Sequence, residues 1–332
     1  MANLTRVRRS PVWSGVMATT IVVALLGVST WTEGASSAVV TSTATTSIGC
    51  GTSSSRNTTL SLTVDGFART VVVHRPKASD STPLPLVLNL HGSGSTAVEQ
   101  EEFTDMNTSA NADEFIVAYP QALIPDGSGF DWNVPNVPLV GGRAVPAHSA
   151  NDIVFLTSLV KILESRYCVD PQRVYATGFS GGAREVSQLA CADSTIFAAV
   201  APVSGLRRPK PCVTKRAVPV ISFHGSADPV DPFAGHGQKY WTYSVKTAAK
   251  DWSSQDRCES ARTSAPFKGV KFTLYSSCAN GALVELYEVM GEGHEWPGGP
   301  PLPAAFTSVL GPQSSVVDAN GVIWSFFQNY KI

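Results

Sequence analysis

Charge is scarce in this sequence. Lys, Arg, Asp and Glu make up 15% of 332 residues and cancel to a net charge of -1, which leaves no basic excess for nucleic acid to select and puts the chain in the ordinary globular class. Long hydrophobic runs are missing as well. The apolar run at residues 16–28 is about thirteen residues, short of the roughly 20 that a membrane-spanning helix needs. No Cys-x-x-Cys pair occurs among the six cysteines, so thiol redox and metal-clip readings lose their usual sequence support. Nor is there an internal repeat or a compositional break marking a second domain.

What the N-terminus does contain is Arg6, Arg8 and Arg9, then the apolar run, then small residues with cleavage expected after Ala35 or Ala38. That order predicts a secretory signal over residues 1–38 and a secreted, extracellular protein with no membrane attachment once the signal is removed. Residues 39–56 are rich in Ser and Thr and predict a flexible lead-in. Cys50, Cys168, Cys191, Cys212, Cys258 and Cys278 all lie beyond the signal, and an even count in an exported chain predicts disulfides. Cys258 and Cys278 flank one short segment and are expected to pair; the other partners stay open. A lipid on Cys50 is disfavoured, because the apolar run ends some twenty residues earlier and Ser47 stands where a large aliphatic is expected.

From residue 57 on, strand and helix signals alternate. Residues 58–64 and 69–75 alternate apolar and polar around Asp65-Gly66, a two-residue hairpin turn. Residues 84–90 form a continuous apolar run ending in His91-Gly92-Ser93-Gly94, as expected of a strand buried on both faces. Further strands are predicted at 115–119, 174–177, 197–201, 218–223, 272–276 and 283–290, the last as the final sheet strand. Helices are predicted at 96–110, from a Ser149-x-x-Asp152 capping box to about residue 167, at 183–190, 238–256 and 316–329. Residues 121–150 make a long Pro-, Gly- and Asn-rich loop expected to wall a cleft. This alternation predicts an α/β fold with a mostly parallel sheet and helices on both faces.

The chemistry sits at Gly178-Phe179-Ser180-Gly181-Gly182, where a β-branched run turns into a helix. In Gly-x-Ser-x-Gly the serine occupies a strained strand-to-helix turn with its hydroxyl exposed. A serine hydroxyl is a poor nucleophile alone, so it needs a histidine to take its proton and a carboxylate to orient that histidine. In α/β-hydrolases these follow the serine as acid and then histidine, each after a strand. Asp228 follows the strand at 218–223, with Asp231 as its competitor. His294 follows the last strand candidate between glycines, and His236 is the weaker choice because it lies only eight residues past Asp228. The oxyanion needs two N–H donors, expected from Gly181 and Ser93. His91 reads as a structural loop residue. Trp132 and Trp296 are expected to line the mouth of the substrate cleft.

With these residues in place the chain from about Cys50 onward resembles a secreted esterase family. That family joins the feruloyl and acetylxylan esterases of carbohydrate esterase family 1, LpqC-like esterases and short-chain polyhydroxybutyrate depolymerases. The matching residues are Leu90-His-Gly92, Asp131-Trp-Asn133, Tyr167-Cys-Val-Asp170, Arg173-Val-Tyr-Ala-Thr-Gly178, Phe197-Ala-Ala-Val-Ala-Pro-Val-Ser-Gly205, His224-Gly-Ser-Ala-Asp228 and Gly293-His-Glu-Trp-Pro-Gly-Gly299. The resemblance implies a single α/β-hydrolase domain over 57–332, the triad Ser180, Asp228 and His294, and no metal or organic cofactor. It implies a monomeric serine esterase acting through an acyl-enzyme on feruloyl or related esters of plant cell-wall polysaccharide. Polyester depolymerisation and acetylxylan deacetylation are the alternatives. A non-catalytic cell-surface binding protein is the remote one, since its usual mark is a missing triad member and none is missing.

Overall fold

The computed structural model describes residues 49–51, 55–76 and 81–332; the expected signal at 1–38 and most of the lead-in at 39–56 lie outside them. The hairpin forms as the Asp65-Gly66 signal predicts. Strand β1 (Asn57–Val64) pairs antiparallel with β2 (Phe67–His74), and both turn residues have positive φ. β3 (Leu84–Leu90) and β4 (Ile116–Pro120) follow, each buried at every position. The run of parallel strands continues with β7 (Val169–Phe179), β8 (Ala199–Val203), β9 (Val220–Gly225) and β12 (Val284–Val289).

Among the described residues one sheet holds ten strands in the order β1-β2-β4-β3-β7-β8-β9-β12, then β11 (Val270–Ser276) and β10 (Ser260–Ser264). β4 through β12 run parallel, while the outer pair at each edge is antiparallel. Alternate residues of a strand point to opposite faces, so Leu86, Leu88 and Leu90 enter one apolar layer and Val87 the other. The first layer is covered by α3 (Asp152–Arg166), α4 (Gly181–Ala192) and α5 (Val245–Gln255). The second is covered by α1 (Ala97–Thr104), α2 (Met106–Asp113) and α7 (Ala319–Phe327). This is an α/β-hydrolase fold. Continuous apolar strands are what two covered faces require.

Several boundaries differ from the sequence expectation, each for a local reason. The helix expected at 96–110 breaks at Asp105, which adopts the left-handed conformation, φ 46°, between α1 and α2. α3 is capped by Asn151, whose side chain accepts from Val154 N, not by Ser149. α5 starts at Val245 behind a Ser244 cap, because residues 238–243 form turns that seat the Trp241 indole on the Pro232 carbonyl. β12 is the last strand in chain order, as expected, but β11 and β10 lie outside it in the sheet, and β10 is exposed at all five positions, so no apolar pattern marks it. α6 (Ala304–Leu310) buries none of its residues and has no sequence signal either.

The long loop at 121–150 carries a small hairpin, β5 (Ile124–Asp126) with β6 (Gly129–Asp131). Phe130 bonds through its backbone to Gly94 and Ser95, so this loop is tied to the one after β3. Disulfides join Cys50 to Cys168, Cys191 to Cys212, and Cys258 to Cys278 as expected. Cys50 is therefore oxidised and carries no lipid.

Candidate active site

β7 ends at Phe179, and the chain reverses at Ser180 with φ 52° and ψ -113° before α4 begins at Gly181. A non-glycine residue held at positive φ is strained, and such strain concentrates at functional turns. Two bonds hold it: Ser180 N donates to the Val203 carbonyl at 3.0 Å, and Arg184 N donates to the Ser180 carbonyl at 3.0 Å. Gly181 and Gly182 are required because the loop after β3 lies directly on them. A Cβ at Gly181 would run into the Ser93 side chain, and one at Gly182 into the Leu90 carbonyl. Ser93 and Gly181, the two expected oxyanion donors, are thereby brought together.

His91 secures that loop from beneath. Its Nε2 accepts from Ala122 N at 3.1 Å, Nδ1 lies 2.7 Å from the Gly92 carbonyl, and its own carbonyl accepts from the Trp132 indole at 2.8 Å. Burial pushes its pKa down to about 4. A neutral ring protonated on Nδ1 satisfies both contacts, so His91 is structural as expected.

The expected acid and base meet. His294 Nδ1 stands 2.7 Å from Asp228 Oδ2, with both residues buried. Asp228 Oδ1 accepts the backbone N–H groups of Val230 at 2.8 Å and Asp231 at 2.7 Å. Burial alone would raise the Asp228 pKa, but the facing His294 and His224 hold it well below the usual carboxylate range. Burial likewise works against charge on His294, and the Asp228 carboxylate outweighs it, so the histidine is raised above its ordinary value.

The histidine loop leans on the elbow. The His294 and Phe179 rings are 4.8 Å apart, and the Ser204 hydroxyl, just past β8, donates to the Glu295 carbonyl at 3.1 Å. On its far side His294 N donates to the Leu310 carbonyl at 2.6 Å. Two buried carboxyls flank His294, Glu292 and Glu295, and neither has a hydrogen-bond partner. Burial, reinforced by Glu295 and Asp228, pushes Glu292 up to about 9; burial pushes Glu295 up to about 7, against the pull of His294.

Neither competitor's side chain meets His294 in a hydrogen bond. Asp231 is buried and paired with Arg184 of α4 at 2.8 Å, while His236 is exposed. Trp132 is buried with its indole N–H on the His91 carbonyl, and it borders a small cavity of about 10 Å³ with Ser93, Asp131, Leu139, Gly181 and Arg184. Trp296 corrects the expectation. It is fully buried in the second apolar layer with its indole N–H on Asn320 at 3.0 Å, so it anchors the histidine loop and does not line a cleft. Sequence reasoning missed Arg184 and Asp131, which meet Asp231 and Arg143 from elsewhere in the chain, and the contact of His224 with Asp228 four residues on, which depends on how the turn after β9 folds back. Among the described residues no group of three or more His, Cys, Asp or Glu is placed to hold a metal ion.

The fold and this loop arrangement define an α/β-hydrolase. The family described as "Esterase PHB depolymerase" matches residues 70–235, and the chain belongs to it. It is 32% identical over 261 residues to NocK of Nocardia uniformis subsp. tsuyamanensis, which carries an esterase name, covering 71% of this chain and 73% of that protein. It is 28% identical over 244 residues to feruloyl esterase B of Piromyces equi, covering 68% of this chain and 42% of that one. Among solved structures, the acetyl xylan esterase from Aspergillus awamori aligns over 76% of this chain and 99% of its own with a TM-score of 0.53 at 16% identity, which shows the shared fold.

Proposed function

We propose that this chain is a secreted serine carboxylic ester hydrolase that works through an acyl-enzyme on Ser180. The observation that carries the reading is the buried Asp228–His294 bond of 2.7 Å, with the His294 ring 4.8 Å from that of Phe179, the residue before a serine at positive φ. In this reading Ser180 Oγ attacks the ester carbonyl and its proton passes to His294 Nε2. Asp228 holds the reactive tautomer through Nδ1–H and stabilises the imidazolium. Gly181 and Ser93 N–H groups receive the oxyanion. His294 then returns the proton to the leaving alcohol, and water repeats the sequence to free the acid. Disulfide pairing of all six cysteines supports an oxidising, extracellular setting. Residues 57–332 act as one catalytic domain.

The substrates we assign are feruloyl or related ester side chains of plant cell-wall polysaccharide. Trp132, Val134, Val137 and Leu139 form an apolar wall beside Ser93 and Gly181 against which a phenolic acyl group would pack once the small cavity there opens to admit it, and aromatic pairs contribute about 0.5–1.5 kcal/mol beyond burial. Feruloyl esterase B of Piromyces equi supports this choice. The family description favours a second reading, polyester depolymerisation. Purified protein is to be tested on methyl ferulate, p-nitrophenyl butyrate, feruloylated arabinoxylan and a polyhydroxybutyrate film. The expected result is a higher kcat/KM for methyl ferulate than for the butyrate after correction for leaving-group reactivity, narrowed by Trp132→Ala. Film clearing without ferulate release from arabinoxylan would replace the first reading by the second.

A further inference from the structure

Asp228 Oδ2 is approached by two imidazoles. His294 Nδ1 stands 2.7 Å from it and His224 Nε2 3.1 Å. His224 lies near the end of β9, is fully buried, and places the same Nε2 2.7 Å from the Asp231 carbonyl. Both neighbours of Nε2 are acceptors, so that nitrogen carries the proton and donates. Its other nitrogen, Nδ1, is buried with no hydrogen-bond partner. The ring is fixed in place: it stacks on Trp241 at 5.6 Å, planes 19° apart, and meets Phe233 edge-on at 5.9 Å. If the position served packing alone, an aromatic hydrocarbon ring would fill it without stranding a nitrogen. The stranded nitrogen is accepted where the opposite edge of the ring reaches the candidate acid.

We propose that His224 is a positioning residue for the reaction: its Nε2–H bridges Asp228 Oδ2 and the Asp231 carbonyl, fixes the carboxylate against His294, and shares the oxygen that His294 uses. The inference rests on the triad reading. An oxygen that accepts two donors holds each less strongly, so His224 tempers the grip of Asp228 on the His294 proton while keeping the acid in place. The other charged groups around the pair are accounted for. Asp231 and Arg184 face His294 as an ion pair, and Glu292 and Glu295 flank it on its own loop. Glu288, opposite His224 in the β9–β12 register, is paired with Lys246 at 3.8 Å.

His224→Phe keeps the ring and removes the donor, while His224→Gln keeps an amide N–H near the place of Nε2. Both are compared with wild type in kcat and in the pH profile of kcat/KM on p-nitrophenyl acetate over about pH 5 to 9, with Ser180→Ala as control. His224→Phe is expected to lower kcat by about tenfold, the size of one hydrogen bond to a charged group. Its acid limb moves to higher pH, because Asp228 then acts on His294 alone, and His224→Gln restores both. Wild-type kcat and profile in His224→Phe overturn the proposal, as does a loss of kcat with an unmoved limb that Gln does not rescue. A measurement on the wild-type protein stands whether or not His224→Phe folds. Its ¹⁵N imidazole spectrum is expected to show the Nε2–H tautomer of His224, and an Nδ1–H tautomer overturns the assignment. Full activity in Ser180→Ala would instead refute the triad reading beneath it, leaving the His224 tautomer intact.

Discussion

Asp228 and Glu292 are buried to nearly the same depth, 5% and 1% exposed, in the two loops that build the candidate site. Asp228 is met by two backbone N–H groups and two imidazoles, and it stays charged. Glu292 meets no donor on either oxygen, and its pKa rises to about 9. Depth is the same, so the neighbours decide which acid is ionised at neutral pH: donors and imidazoles around Asp228, the Glu295 and Asp228 carboxyls around Glu292. In the proposed reading one acid is fitted to stabilise an imidazolium, and another, two residues before His294, is kept protonated.

Replacing Asp228 by Asn breaks the charged side of this comparison. The amide selects the wrong histidine tautomer, and kcat is expected to fall by about 10⁴ with the fold retained. A variant losing less than tenfold would remove Asp228 from the triad. Replacing Glu292 by Gln tests the neutral side through stability. Glu292 binds its proton more tightly folded than unfolded, so its contribution is full below its ordinary value of 4.5 and is lost as pH rises through about 9. The wild-type unfolding free energy should therefore decline across that window, with its melting temperature, and the Gln variant should lose less, by an amount on the order of several kcal/mol at the alkaline end. Parallel melting curves would show that Glu292 is ionised in the fold. Asp231→Asn sharpens the comparison with a third acid, one whose partner is Arg184. Leaving that cation unpaired is expected to cost about 3 kcal/mol of stability, while kcat stays within about tenfold of wild type. A loss of kcat matching that of Asp228→Asn would move the acid to position 231.

Local signals carried most of this site. The serine, the acid and the histidine each follow a strand that the sequence marks by apolar runs, and the Asp65-Gly66 turn sets its hairpin without help from the rest of the chain. Long-range meetings were hidden. Cys50 and Cys168 are 118 residues apart, and nothing local distinguishes that partner from the other cysteines. Trp296 misled for a related reason: closeness to His294 in sequence says nothing about side-chain direction, and the ring turns down toward Asn320. β10 escaped because its Ser-Ala-Arg-Thr-Ser residues are exposed on both faces, leaving edge pairing with β11 as its support. His224 looked like part of a strand end; only the return of the chain through Asp228 shows what its nitrogen touches.

The most direct test of the account is covalent. The protein is treated with a fluorophosphonate ester, digested, and mapped by mass spectrometry while esterase activity is followed in the same sample. One adduct on Ser180, formed in step with the loss of activity and slowed by several powers of ten in His294→Ala, is the expected result. An adduct on another residue, or complete inactivation with Ser180 unmodified, would contradict it.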